Sequence, residues 1–137
     1  LSHSGARAAM IIDGHVYIAA VAQSSSGDKR IVNAREVGPE VSGSALSLDW
    51  NNDGSLIVGT SSGQSPVWRI EQDGSSASTM PTGNITAPVV AVASSPTKLF
   101  ITDSHAMLEL PSTVMDETNW REVSGLQGRR SSPIVSN

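Results

Sequence analysis

The chain has 137 residues, a formal net charge of −4 with 9 Lys and Arg against 13 Asp and Glu, and no cysteine. That length can bury a core and is nominally one domain. The scattered cations, with Lys29-Arg30 beside Asp28 and Arg129-Arg130 only a pair, give no electrostatic footprint for nucleic acid. Disulfides, thiol nucleophiles and cysteine metal sites are excluded, and no apolar run approaches the roughly 18 residues of a membrane-spanning helix.

Read from the start, Arg7 to Ile12 forms the inner strand of a first unit, Asp13-Gly14 a tight turn, and His15 to Val21 the returning strand. Asp-Gly between apolar runs is a strong hairpin signal, because glycine supplies the positive φ that such turns need. Ala8, Ala9, Ala19 and Ala20 suit strands that crowd together. A polar loop, Ser24 to Asp28, precedes a third strand near Arg30 to Ala34 and an outer strand near Arg35 to Val37, which Pro39 ends.

The next unit repeats the order. After Gly43 come an inner strand ending at Trp50, a turn at Asp53-Gly54, the strand Ser55-Leu56-Ile57-Val58, and a loop from Ser61 to Ser65. Val67-Trp68-Arg69-Ile70 follows, then Asp73-Gly74 and a polar run to Met80-Pro81-Thr82-Gly83. Trp50 and Trp68 are read as filling the space between stacked sheets. The third unit starts its inner strand near Pro88-Val89-Val90 and has Pro96-Thr97 where the others have Asp-Gly. Lys98 to Thr102, a turn at Asp103-Ser104-His105, a strand from Ala106 to Leu110 stopped by Pro111, the linker Ser112 to Asn119, and an outer strand Trp120 to Val123 complete it. Thr113 to Trp120 lacks an apolar stripe at helical period, so the chain reads as all-β.

Gly5, Gly43, Gly83 and Gly125 recur about 40 residues apart, three of them in the frames Val41-Ser42-Gly43, Pro81-Thr82-Gly83 and Val123-Ser124-Gly125. A period of about 40–45 residues with four strands per repeat is the signature of a β-propeller blade. The expected architecture is part of a β-propeller made of about three four-stranded antiparallel blades. Their boundaries fall near residues 5–43, 43–83 and 83–125, and residues 126–137 supply the first strand of a further or closing blade. The Pro133-Ile134-Val135 string, which echoes Pro88-Val89-Val90, carries that last assignment.

Three blades are too few, since closed propellers run from about 4 to 8. Two blade faces would stand open to water. The expectation is that the remaining blades of the same propeller, placed upstream, or a second copy of the chain cover them.

Several strings imitate catalytic or metal motifs and fail on context. Gly59-Thr60-Ser61-Ser62-Gly63 fits a nucleophile elbow, but that motif turns from a strand into a helix, and here a strand follows. Ser95-Pro96-Thr97-Lys98 fits S-x-x-K, yet Pro96 puts it in a hairpin. Asp49-Trp50-Asn51-Asn52-Asp53-Gly54 reproduces the first half of a calcium-binding loop, but the twelfth position is Thr60 rather than a bidentate Glu. It is read as a hairpin whose Asn and Asp side chains satisfy their own amides. His3, His15 and His105 stand apart without metal-ligand spacing. No catalytic, cofactor-binding or metal-binding residue is assigned.

The strings Ser47-Leu48-Asp49-Trp50, Asp53 to Val58, Pro66 to Ile70 with Asp73-Gly74, and Pro81 to Val89 resemble the β-propeller domain of the LpqB family of actinobacterial lipoproteins. The resemblance covers most of the chain and is strongest from Gly43 to Gly125. It implies an extracytoplasmic protein anchored to the cell membrane by a lipidated cysteine outside this segment. It further implies association with the sensor domain of a membrane histidine kinase, and modulation of that two-component system in cell-envelope homeostasis. Asn84-Ile85-Thr86, formally a glycosylation acceptor, has no role in that setting.

The reading is therefore a non-enzymatic interaction module whose rim loops, Ser24 to Asp28, Ser61 to Ser65 and Ser112 to Asn119, meet a protein partner. The alternative is a carbohydrate-binding or hydrolytic propeller with a site in the axial channel. Convergence of Asp49, Asp103 and His105 at the axis would favour it.

Overall fold

The computed structural model describes residues 1–38, 43–81, 85–111 and 120–123. Its eleven strands are all antiparallel and fall into three sheets in chain order. The first holds β1 (Arg7–Ile12), β2 (His15–Gln23) and β3 (Lys29–Val37). The second holds β4 (Ala45–Trp50), β5 (Leu56–Thr60), β6 (Val67–Ile70) and β7 (Ala77–Thr79). The third holds β8 (Ala91–Ser94), β9 (Lys98–Thr102), β10 (Met107–Pro111) and β11 (Arg121–Glu122). The all-β propeller architecture read from the repeats is the one observed, with no helix among the described residues.

The Asp-Gly turns form as the residue types require. Asp13 and Gly14 take φ values of 53° and 79°, the pair of positive angles that a two-residue hairpin turn needs, and Ile12 faces His15 across it. Gly54 and Gly74, at 90° and 75°, close the corresponding turns of the second sheet.

One expectation is corrected. The sequence suggested a third strand near Arg30 to Ala34 and a separate outer strand near Arg35 to Val37, whereas Lys29–Val37 is one strand paired with β2 along its length. Asn33 adopts a φ of 55°, and the register slips between the Ile18↔Arg35 and Ala20↔Val32 pairs. Asparagine tolerates this left-handed conformation, so the extra residue is absorbed as a bulge and the chain does not reverse. The first sheet accordingly has three strands among the described residues. Pro111 also differs slightly: it is the last residue of β10, opposite Lys98, rather than the residue after it. The repeat glycines Gly83 and Gly125, the linker Ser112 to Asn119, the strand expected in residues 126–137 and the acceptor Asn84 lie outside the described residues.

The sheets stack through two apolar cores. Val16, Ile18 and Val37 of the first sheet meet Ala45, Trp50, Leu56, Val58, Trp68 and Ile70 of the second. Ile57, Val67 and Met80 meet Val89, Leu99, Ile101, Leu108, Leu110 and Trp120 on the other side. Successive residues of a strand point to opposite faces, so Leu56 and Val58 serve one core and Ile57 the other, and all of β5 is buried. Each such aliphatic side chain contributes roughly 1.5–3 kcal/mol on burial. Trp50 and Trp68 fill the space between the first two sheets, as their residue type predicted.

Candidate functional site

The strongest metal-like string sits in the β4–β5 turn, and its oxygens are occupied by the protein itself. One Asp49 carboxylate oxygen accepts from the Trp50 amide at 3.0 Å, and the other accepts from the Ser94 amide of the third sheet at 2.7 Å. The buried Asn51 side-chain oxygen accepts from Ser94 Oγ at 3.0 Å. Asp53 Oδ1 accepts from both the amide and the hydroxyl of Ser55, at 2.9 and 2.6 Å, while Oδ2 holds Arg69 at 2.9 Å. This segment therefore does two jobs: it caps its own turn, and it ties the second sheet to the third. Among the described residues, no group of three or more His, Cys, Asp or Glu converges as a metal site.

The remaining strings resolve in the same way. Gly59 and Thr60 belong to β5, and the hairpin loop from Ser61 to Ser65 leads directly to β6, so Ser61 does not stand on a strand-to-helix elbow. Its Oγ accepts the Ser44 amide at 2.9 Å. Ser95 closes the β8–β9 turn by accepting the Lys98 amide at 3.0 Å and donating to the Lys98 carbonyl at 3.2 Å. Lys98 Nζ in turn lies 3.2 Å from Glu109. Asp103, buried, accepts the amides of His105, Ala106 and, across the turn, Thr86. His105 is exposed, and His15 pairs with Glu36 at 2.8 Å. Asp103 and His105 thus share the β9–β10 turn, whereas Asp49 lies in β4 and bonds Ser94 at the other end of β8, so the three do not form one cluster.

The structure also assembles a polar cluster that local spacing did not reveal. Arg7 donates to the Gln72 carbonyl and Arg35 to the Asp73 carbonyl, so two cations of the first sheet hold the β6–β7 turn of the second. An open groove of about 390 Å³ lined by Arg7, Glu71, Gln72, Asp73 and Ser75 lies beside these contacts. Arg69 bridges Asp53 and Glu71. Burial pushes the Asp53 carboxyl up, but the Ser55 and Arg69 hydrogen bonds outweigh it and hold the group below the ordinary carboxylate range. Hydrogen bonds from Ser75 do the same for Asp73. In sequence the register of Arg69 on β6 beside the Asp53 turn was available as a signal; nothing local links position 35 to position 73.

Of the expected rim loops, two are described. Ser24 to Asp28 is exposed and braced internally, with Ser24 Oγ 2.8 Å from Ser26 Oγ and accepting the Asp28 amide at 3.2 Å. Ser61 to Ser65 is mostly exposed and braced by Ser62, whose Oγ accepts the Ser65 amide. Both are polar surface loops whose shape is set by their own hydroxyl groups.

A family model described as the lipoprotein LpqB beta-propeller domain matches residues 1–136. Among curated proteins, a "Lipoprotein LpqB" of Corynebacterium diphtheriae is 50% identical over 98% of this chain and 23% of its own length. Another of Rhodococcus jostii is 40% identical over 98% of this chain and 23% of its own length. One of Mycobacterium tuberculosis is 28% identical over 98% of this chain and 23% of its own length. The chain thus spans less than a quarter of the length of these relatives.

Proposed function

We propose that this chain, which belongs to the LpqB β-propeller domain family, is a non-catalytic interaction module of a lipid-anchored, extracytoplasmic envelope protein. Its partner in this reading is the sensor domain of a membrane histidine kinase, whose two-component signalling it modulates. The anchor belongs to a part of the protein outside these 137 residues; the relatives carry "lipoprotein" in their names.

One observation supports the module reading above others. The side chains that look catalytic in sequence, Asp49, Asp53, Ser95 and Asp103, are each engaged in capping a turn or joining two sheets. Stacked sheets hold the exposed loops on a rigid frame, the arrangement in which loops serve recognition. The contact surface proposed is the rim that carries Ser24 to Asp28; Ser61 to Ser65 opens at the opposite end of the sheets, beside Ser44 and the Gly14 turn, and lies outside that surface.

Titration of the complete propeller against the purified kinase sensor domain tests this. Saturable binding, weakened when the Ser24–Asp28 loop is replaced by a short Gly-Ser linker, is the expected result. No detectable binding at concentrations of tens of micromolar contradicts it.

A further inference from the structure

The first sheet has three strands where its neighbours have four, and the packing identifies the one it lacks. Where the second sheet meets the third, the end of β5 touches the segment entering β8. The Val89 amide donates to the Thr60 carbonyl at 3.0 Å, and a Cβ on Gly59 would fall 2.7 Å from the Val89 oxygen. Where the first sheet meets the second, the end of β1 touches the segment entering β4 in the same manner. The Ala45 amide donates to the Gly14 carbonyl at 2.9 Å, and a Cβ on Gly14 would fall 3.1 Å from Ser44 Cβ. Val16 of β2 and Val37 of β3 occupy the places in the first core that Val67 of β6 and Met80 after β7 occupy in the second. So β1, β2 and β3 correspond to β5, β6 and β7, and the counterpart of β4 is the missing strand.

The residues before β1 carry the matching turn. The β4–β5 turn is closed by the Asn51 amide donating to the Ser55 carbonyl at 2.7 Å and the Gly54 amide donating to the Asn51 carbonyl at 3.0 Å. Ahead of β1, the Ser2 amide donates to the Arg7 carbonyl at 2.8 Å and the Gly5 amide to the Ser2 carbonyl at 2.9 Å. Ser2 to Arg7 is therefore a hairpin turn with β1 as its second arm, and its first arm leads out at Leu1. Leu1 stands where Trp50 stands in the second sheet, yet it is 70% exposed against 4% for Trp50.

The edge that faces this arm is open. The Val21 amide donates to the Ala6 carbonyl, so the alternation of an antiparallel ladder turns the backbone groups of Ala8, Met10 and Ile12 toward β2. Those of Arg7, Ala9 and Ile11 point the other way, and the Ser2–Arg7 bond is the first rung on that side. Unpaired edge groups of this kind template a further strand.

We propose that the open edge of β1 is the docking site of an antiparallel inner strand, supplied by the residues that run into Leu1 in the longer protein. Relatives more than four times the length of this chain have that length available. The occupant is of the chemistry seen in β4 and β8, Ala-Leu-Ser-Leu-Asp-Trp and Ala-Val-Ala-Ser, with small and apolar residues alternating. This moves β1 from the innermost position to the second. It also puts the Ser24–Asp28 loop on the same rim as the Glu71–Ser76 turn, and on the opposite rim from Ser61–Ser65. The inference stands on backbone geometry and is independent of the kinase reading.

Residue-resolved amide exchange and cross-strand NOEs in the complete propeller test it. The Ala9 and Ile11 amides are expected to exchange about as slowly as the Met10 amide, with antiparallel NOEs running from β1 to the residues preceding Leu1. Exchange at Ala9 and Ile11 roughly 100-fold faster than at Met10 would overturn the proposal, since an edge amide opens without unfolding the sheet. So would NOEs from β1 to any other segment of the chain, or, in a sample of mixed isotopic labelling, to a second copy.

Discussion

β1 and β5 hold corresponding places in neighbouring sheets and are comparably apolar, Arg-Ala-Ala-Met-Ile-Ile against Leu-Ile-Val-Gly-Thr, yet their surroundings differ sharply. All five residues of β5 are buried, because the second sheet is covered on both faces and β5 has a paired strand on each side. In β1 only Ala8 is buried, and Ile12 is 49% exposed. Burial here is set by what lies next to a strand rather than by its composition. In a stack of sheets each member borrows stability from its neighbours.

The largest contrast is expected in the aliphatic core. Leu56→Ala should cost about 2–5 kcal/mol by chemical denaturation, since it removes a fully buried side chain from a site closed on both faces. Ile12→Ala in the same measurement should cost under about 1 kcal/mol. Equal losses would mean that the outer face of the first sheet is as well covered as β5.

Glycine substitutions should show the same contrast. A Cβ on Gly59 would lie 2.5 Å from Ser47 Oγ and 2.7 Å from the Val89 carbonyl oxygen, both held by the sheet contact. Gly59→Ala should therefore destabilise by about 1–3 kcal/mol. Gly63, in the exposed loop with nothing within 4 Å of a built Cβ, should accept Ala with little change.

A comparable contrast is expected at the polar joint. Asp49→Ala leaves the part-buried Ser94 amide without its acceptor and should cost about 1–3 kcal/mol. Arg35→Ala, whose guanidinium holds the Asp73 carbonyl at an exposed surface, should cost under about 1 kcal/mol.

The smallest effect is one of pH. The depressed Asp53 carboxyl contributes stability that is present above its unfolded value of about 3.9 and is lost as pH falls through its lower folded value. Stability measured from pH 5 downward should fall slightly less steeply in Asp53→Asn than in the parent chain. The difference is small because the side chain is 45% exposed and solvent screens it.

Much of this was legible in the residues. Asp13-Gly14, Asp53-Gly54 and Asp73-Gly74 announce their turns because the required backbone angles are local. Trp50 and Trp68 identify themselves as inter-sheet filler by size. The Asp49–Gly54 string and Ser95 were correctly read as turn-forming, again from local hydrogen bonding. What stayed hidden was long-range. The extension of β3 through Arg35 depends on a bulge that Asn33 only permits, and the grip of Arg7 and Arg35 on the 71–75 turn depends on how two sheets stack. The position of β1 within its sheet was obscured because a regular glycine spacing made Gly5 look like Gly43. Hydrogen bonding instead places Gly5 in a turn of the Gly54 kind.

Methyl NOEs along β5 show whether that strand lies between two other sheets. Leu56 and Val58 should show contacts to methyl groups of the first sheet, such as Val16 and Ile18, while Ile57 between them contacts only those of the third, such as Leu99 and Ile101. Contacts from all three residues to a single sheet would contradict the stacked arrangement.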